Sequence, residues 1–161
     1  MKDNKWYPCG AEGGVPDVPG SGGGNSGGGG TTTTNGYTVT SAGASYTFTQ
    51  NASGYYESGN KGVHNSCALA KVTITTDGTK YIAFDCISYA EAHCDYGILS
   101  TVGGTLSTTH EVDTTNVKQS FYSYNSGGVR RVSYGKLAAG THIIYVKFRK
   151  DQSVHKYNDS F

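Results

Sequence analysis

Apolar and polar positions alternate with a period of two along most of this chain after residue 36. Tyr37-Thr38-Val39-Thr40 and Ser45-Tyr46-Thr47-Phe48-Thr49 read as short strands, because successive side chains of a strand point to opposite faces. Ala68 to Thr76 gives the clearest case. Ala68, Ala70, Val72 and Ile74 share one face, and Leu69, Lys71, Thr73 and Thr75 share the other, so one side is apolar. Asp77-Gly78 carries a hairpin signal, with Tyr81-Ile82-Ala83-Phe84-Asp85-Cys86-Ile87 expected to return beside the previous strand. Further strands are expected at Tyr96–Ser100, Val117–Tyr124, Val129–Tyr134 and His142–Arg149, the last two separated by a corner at Leu137-Ala138-Ala139-Gly140. No stretch of a dozen residues shows capped helical periodicity. Eight or nine short strands at 8–12-residue spacing predict an all-β fold, a single antiparallel β-sandwich of jelly-roll-like form over 37–161.

Upstream the pattern vanishes. Eleven of the 24 glycines fall between Gly10 and Gly30, and Gly20–Gly30 reads GSGGGNSGGGG, which has nothing to bury and the most backbone entropy to lose. Residues 20–36 therefore read as a flexible Gly/Thr-rich tether. Residues 1–19 hold the single Trp and all three Pro of the chain, in Trp6-Tyr7-Pro8-Cys9 and Val15-Pro16-Asp17-Val18-Pro19. A pure spacer has no use for such residues. Trp6, Tyr7, Val15 and Val18 are accordingly candidate anchors of a docking peptide that binds another subunit in extended or polyproline form.

The 161 residues allow one ordinary domain, and 13 basic against 12 acidic residues leave a net charge of +1. That balance argues against a nucleic-acid partner. No apolar run approaches the roughly 18–20 residues of a membrane span, so membrane insertion is not expected. The N-terminus lacks the apolar core of a secretory signal peptide.

Cys9 lies on the arm, and Cys67, Cys86 and Cys94 form an odd set in the body. Cys67 and Cys86 bracket the expected hairpin and could face each other across it; the plainer reading is buried free thiols. The cluster Asp85-Cys86 with Glu91, His93, Cys94 and Asp95 lacks the paired Cys spacing of a zinc site, and the adjacent His93 and Cys94 would point to opposite faces. The same geometry disfavours a Cys-His nucleophile, and no spacing selects a carboxylate pair from Glu57, Glu91, Asp95 and Glu111 for glycoside hydrolysis. A non-enzymatic protein with no cofactor is the expectation. Calcium on Asp151, Asn158 and Asp159 with Asp77 or Asp85 is weighed and not favoured, since Asx residues serve turns as readily.

Thirteen Tyr in a weakly charged chain point to recognition instead. Tyr55, Tyr56, Tyr89, Tyr96, Tyr122 and Tyr124, in or beside expected loops and strand ends, are the candidate binding residues. Tyrosine offers rigid amphipathic contact area to glycans and protein surfaces. The plainer reading is that Tyr is a good strand residue.

The order of several motifs resembles a known module. Ser58-Gly59-Asn60-Lys61-Gly62, Asn65-Ser66 and ALAKVTI precede Ile87-Ser88-Tyr89-Ala90-Glu91 and Asp95-Tyr96-Gly97-Ile98-Leu99-Ser100. Leu137 to His142, Lys147-Phe148-Arg149-Lys150-Asp151-Gln152-Ser153 and Asn158-Asp159-Ser160 follow. The succession, over residues 55–161, resembles a β-sandwich module of tail, fibre and other virion proteins of phages from gut-type bacteria, also found in bacterial surface proteins. The resemblance implies a jelly-roll-like domain used for assembly or surface attachment, and it transfers no catalytic residue. Such modules continue past the Asn-Asp-Ser motif into another apolar strand. Here that strand is either Asp159–Phe161 alone, or an edge is left for the arm of a neighbouring copy.

The expected function is thus a virion structural protein: a fibre, tail or capsid-decorating appendage, located in the virion and assembled as a homo-oligomer with other virion subunits. Its body would present a surface to those subunits or to a host-surface glycan. The alternatives are a self-assembling extracellular filament or pilus-like subunit using donor-strand exchange, and a carbohydrate-binding module of a bacterial surface protein.

Overall fold

A computed structural model describes residues 35–90, 94–122, 129–152 and 160–161, without the side chain of Tyr122. All nine of its regular elements are strands: β1 (Gly36–Ser41), β2 (Phe48–Gln50), β3 (Tyr56–Ser58), β4 (Cys67–Thr76), β5 (Tyr81–Cys86), β6 (Tyr96–Ser100), β7 (Val117–Tyr122), β8 (Arg130–Lys136) and β9 (Gly140–Arg149). The fold is all-β and antiparallel, as the alternation predicts.

The two longest strands make the centre. β4 and β9 pair over ten positions, from Cys67 opposite Arg149 to Thr76 opposite Gly140. β1 adds to β4 on one side, and β6 then β7 add to β9 on the other, giving the order β1-β4-β9-β6-β7. One face of this sheet carries Ala68, Ala70, Val72 and Ile74 of β4 with Ile144, Val146 and Phe148 of β9, Leu99 of β6 and Phe121 of β7. It packs against Phe48 of β2, Ile82, Phe84 and Cys86 of β5 and Val132 of β8. The β2–β3 and β5–β8 pairs form this second layer. The layers are held by ordinary apolar burial, about 25 cal/mol per Å² removed from water.

The hairpin expected at Asp77-Gly78 is not formed. β4 and β5 lie in different sheets, and the turn carries the chain from one layer to the other. Gly78 takes φ +82, and its missing Cβ would stand 3.0 Å from the Ala139 backbone nitrogen, so a side chain is excluded twice over. Asp77 accepts from the Thr79 amide (2.8 Å) and hydroxyl (2.7 Å), which closes the turn without strand pairing.

Ser160 and Phe161 stitch the second layer together. Ser160 pairs with Tyr89 through both backbone bonds (2.9 and 3.1 Å), and the Ser58 amide donates to the Phe161 carbonyl (3.0 Å). The Phe161 ring stacks on Phe148 at 6.0 Å and lies over Gly97, where a Cβ would stand 2.3 Å from a ring carbon. A void of about 10 Å³ beside this ring is lined by Phe48, Phe84, Cys86, Ile87, Val146 and Phe161. It offers no polar partner to a water.

Candidate assembly surface

The outer face of the five-stranded sheet is divided between two treatments. Over β6 and β9 it is roofed by the segment 101–116, a compact surface loop whose ends are closed by the Thr101 amide donating to the Asn116 carbonyl at 2.6 Å. Leu106 inserts onto Leu69 and Ile98 as a second, small apolar cluster. Beneath the roof Lys147 is 0% exposed and donates to Ser107 Oγ (2.8 Å), the Glu111 carbonyl (2.8 Å) and Asp113 Oδ2 (2.7 Å). Arg149 donates to the carbonyls of His110 and Cys94 and covers the Tyr96 ring at 5.5 Å. The Cys67 thiol reaches the Thr108 carbonyl (3.1 Å), and burial, the larger cause, pushes its pKa up.

Several of the residues that carry the module resemblance serve the interior. Lys147, Arg149 and Lys150 of the KFRKD block all point into polar contacts. Lys150 and Asp95, 1% and 2% exposed at the side chain, form an ion pair at 3.6 Å, and Asp95 also accepts from the Asp151 amide (3.0 Å). Asn60 is buried and donates to Ser66 Oγ (3.0 Å) and the Phe148 carbonyl (3.3 Å). Gly59 lies so close to Thr47 that a Cβ would stand 2.8 Å from its carbonyl oxygen.

The candidate tyrosines do not make one patch. Tyr55 is buried, and Tyr56 is half-buried against the main core in β3, a strand where the sequence pattern predicts a loop. Tyr89 is half-buried on the chain segment paired with Ser160. Tyr96 lies on the opposite side of the main sheet, packed on the small cluster under the roof. Tyr122 is its register partner across β6–β7, and Tyr124 lies outside the described residues. Tyr81, outside the candidate set, is the most exposed of the described tyrosines at 63%, beside Lys136 Nζ at 5.2 Å.

The acidic residues weighed for metals and catalysis have other work. Asp85 is clamped by Arg131 through two bonds of 2.7 Å, and Asp77 by Thr79 and Asn35. Asn158, Asp159, Glu91 and His93 lie outside the described residues. Among the described residues no group of three His, Cys, Asp or Glu stands close enough to hold a metal ion. Cys86 is a buried free thiol in the main core and Cys67 sits under the roof, so the two do not face each other across a hairpin. Burial, ahead of the nearby Asp85 charge, pushes the Cys86 pKa well above the usual thiol range.

The second treatment of the outer face is exposure. Over β1 and β4 the register aligns Thr38 with Thr73 and Thr40 with Lys71; Thr38 and Thr40 are exposed, and Lys71 and Thr73 are half-buried. β1 itself is the sheet's edge, six residues with the burial pattern eeeiee, only Val39 being half-buried against the core. Its entry is fixed. Asn35 Nδ2 donates to Asp77 Oδ2 (2.9 Å), and the Asp77 amide donates to Asn35 Oδ1 (2.9 Å). The bonds from Thr79, as the largest cause, and the Asn35 Nδ2 bond hold the Asp77 carboxyl at a pKa of about 2.

The edges differ in protection. β7 carries Lys118 and a register break between Leu99 and Ser100 of its partner strand. β8 carries Arg130, Arg131 and Lys136, with a break between Ile82 and Ala83 of its partner strand. β2 and β3 are three residues long. Charge, irregularity and shortness are the usual means of blunting an edge. β1, Gly-Tyr-Thr-Val-Thr-Ser, has none of them. The anchor residues Trp6, Tyr7, Val15 and Val18 lie outside the described residues, on the chain that enters β1. No family model, curated protein or solved structure matches this chain.

Proposed function

We propose that the protein is a non-enzymatic structural subunit of the virion-appendage kind, whose β-sandwich body is joined to its assembly through the N-terminal arm. The observation that carries this reading is the pairing of an arm exit locked at Asn35–Asp77 with an unblunted strand immediately after it. An anchoring peptide transmits position only if its point of attachment is rigid, and the two Asn35–Asp77 bonds fix that point to the β4–β5 turn. The inward use of charge supports the reading too. Lys147–Asp113 and Lys150–Asp95 serve the interior, and the exposed part of the main sheet is left rich in Thr. The motif resemblance contributes the virion assignment.

The test is the solution mass of the full chain against a version starting at Thr31, by light scattering on a sizing column. Equal small species mean that the arm docks on a different protein, as an appendage requires. Long or polydisperse assemblies of the full chain alone, with a monomeric short form, replace this reading with the donor-strand filament. Sugar-dependent quenching of tyrosine fluorescence by host-type glycans would support the host-surface role, and Tyr81 is the described tyrosine best placed to report it.

A further inference from the structure

β1 is a strand with one edge used and one edge open. Its inner edge runs in unbroken register with β4, from Gly36 opposite Thr75 to Ser41 opposite Ala70. Every second residue of such a strand turns its amide and carbonyl to the outer edge, where no described residue meets them. The contrast with β7 and β8 is internal to the molecule. On β7 and β8 the chain uses lysine, arginine and broken register, and it omits all three here.

We infer that β1 pairs antiparallel with β1 of a second copy about a two-fold axis through Val39, joining two five-stranded sheets into one of ten strands. A continuous sheet keeps each side chain on its own face, so opposed residues must have the same parity, and the strand is nearly self-complementary in that arrangement. Val39 meets Val39 of the partner subunit on the core side. Thr38 meets Thr40 of the partner subunit on the outer side, and Tyr37 meets Ser41 of the partner subunit at each end. A β-branched pair at the centre flanked by Thr–Thr pairs is a favourable cross-strand set. No residue from Gly36 to Ser41 is charged, so the two-fold brings no like charges together.

Size decides the strength. Six residues extend about 20 Å, and pairing them covers roughly 400 Å² in total, well short of the 1,200–2,000 Å² of a stable complex. The contact is therefore weak between free molecules and effective between copies already held side by side, where a tether supplies a high local concentration. It rests on the reading of the body as an assembly subunit and adds to it which edge meets which.

The test uses the full chain with Cys9 and Cys94 changed to Ser, the buried Cys67 and Cys86 kept. Single cysteines are placed at Tyr37, Thr38, Val39 and Thr40 and oxidised with copper phenanthroline across a concentration series to the millimolar range. The expected result is a covalent dimer whose yield peaks at Val39→Cys, at least tenfold above Tyr37→Cys. Adding Thr38→Lys, an exposed change that leaves the fold intact by circular dichroism, is expected to remove it. A peak elsewhere, equal yields at all four positions, or a monomer at millimolar concentration overturns the pairing. If no dimer forms while the full chain and the version from Thr31 give equal small species in the mass measurement above, only the pairing has failed. If the full chain alone forms long assemblies, the appendage reading fails independently of the pairing. Covering of the edge by the chain's own arm would appear as protection of these thiols from labelling without dimers, and it too overturns the proposal.

Discussion

Removing the carboxylate of Asp113 should cost more stability than removing the cation it faces. Lys147 Nζ is sealed beneath the 101–116 roof with three acceptors, only one of them charged, and Asp113 is 9% exposed. In Asp113→Ala the ammonium stays buried with two neutral oxygens, a situation worth about 3–5 kcal/mol. The chain can relieve this by lifting the roof to admit water, but lifting withdraws Leu106 from Leu69 and Ile98 at about 2 kcal/mol. The loss is therefore set by the cheaper route at about 2 kcal/mol, or roughly 8 °C in Tm for a body of this size. Lys147→Met leaves a carboxylate whose other oxygen still accepts from the Ser107 amide (2.7 Å), and should cost about 1 kcal/mol. The double variant should then be more stable than Asp113→Ala alone. Urea denaturation followed by circular dichroism measures all three, and hydrogen exchange over 101–116 reports the opening. A loss under about 1 kcal/mol for Asp113→Ala, or a double variant equal to the sum of the singles, would refute the claim that this ion pair holds the roof down.

Four further outcomes follow from the same contacts. The Asp77 carboxyl, held at about 2, binds its proton less readily folded than unfolded; the contribution of the Asn35–Asp77 clamp is present above the ordinary pKa near 3.8 and fades as pH falls toward 2. Carboxyl NMR titration should show that midpoint, and Asn35→Ala should raise it. Tyr134, whose hydroxyl donates to the Ser100 carbonyl at 2.6 Å, has its pKa pushed well above the usual phenol range by burial first and the nearby Cys86 second. Above about pH 10 the unfolded chain loses a proton the folded one keeps, so stability should fall as pH rises, and less so in Tyr134→Phe. A thiol reagent should label no more than Cys9 and Cys94 of the native protein, with Cys67 and Cys86 reacting only in denaturant; four fast thiols would contradict their burial. Gly97→Ala should push the Phe161 ring off its seat and destabilise by about 1–3 kcal/mol, read by denaturation and by faster exchange of the Tyr89 amide.

What the sequence disclosed and what it hid separate along one physical line. Strands whose pattern answers to a single buried face were legible. β4 with its Ala-Ala-Val-Ile face, β6 and β9 appear within two residues of their expected bounds. β3 was not, because Tyr56-Glu57-Ser58 is too short to alternate and owes its pairing to β2 across the Asn51–Tyr55 turn. The β4–β5 connection misled for a related reason. Asp-Gly between two apolar runs signals a tight turn, but which sheet the second run joins depends on partners distant in sequence, here β8. The 101–116 roof was least visible of all. Its Thr-rich composition reads as solvent-facing loop, and the cover becomes evident only from the structure, where it buries the Lys147 ammonium.

That last point bears on where function sits in this molecule. A β-sandwich presents two outer faces and its sheet edges, and each way of covering them consumes particular residues. Here the basic residues Lys147, Arg149 and Lys150 are consumed in fastening the roof and the chain around Asp95, so the most distinctive motif of the sequence builds the scaffold. The tyrosines are scattered between core, roof and rim in the same way. What is left uncommitted is plain in composition: a Thr-lined strip of β1 and β4 and the edge beside it, next to the Asn35–Asp77 bonds that precede β1. Backbone pairing needs no distinctive side chain, only the absence of charge, proline and irregularity. An assembly contact made this way leaves almost no signature in a single sequence, and it becomes visible only when the protected edges of the same sheets are set beside it.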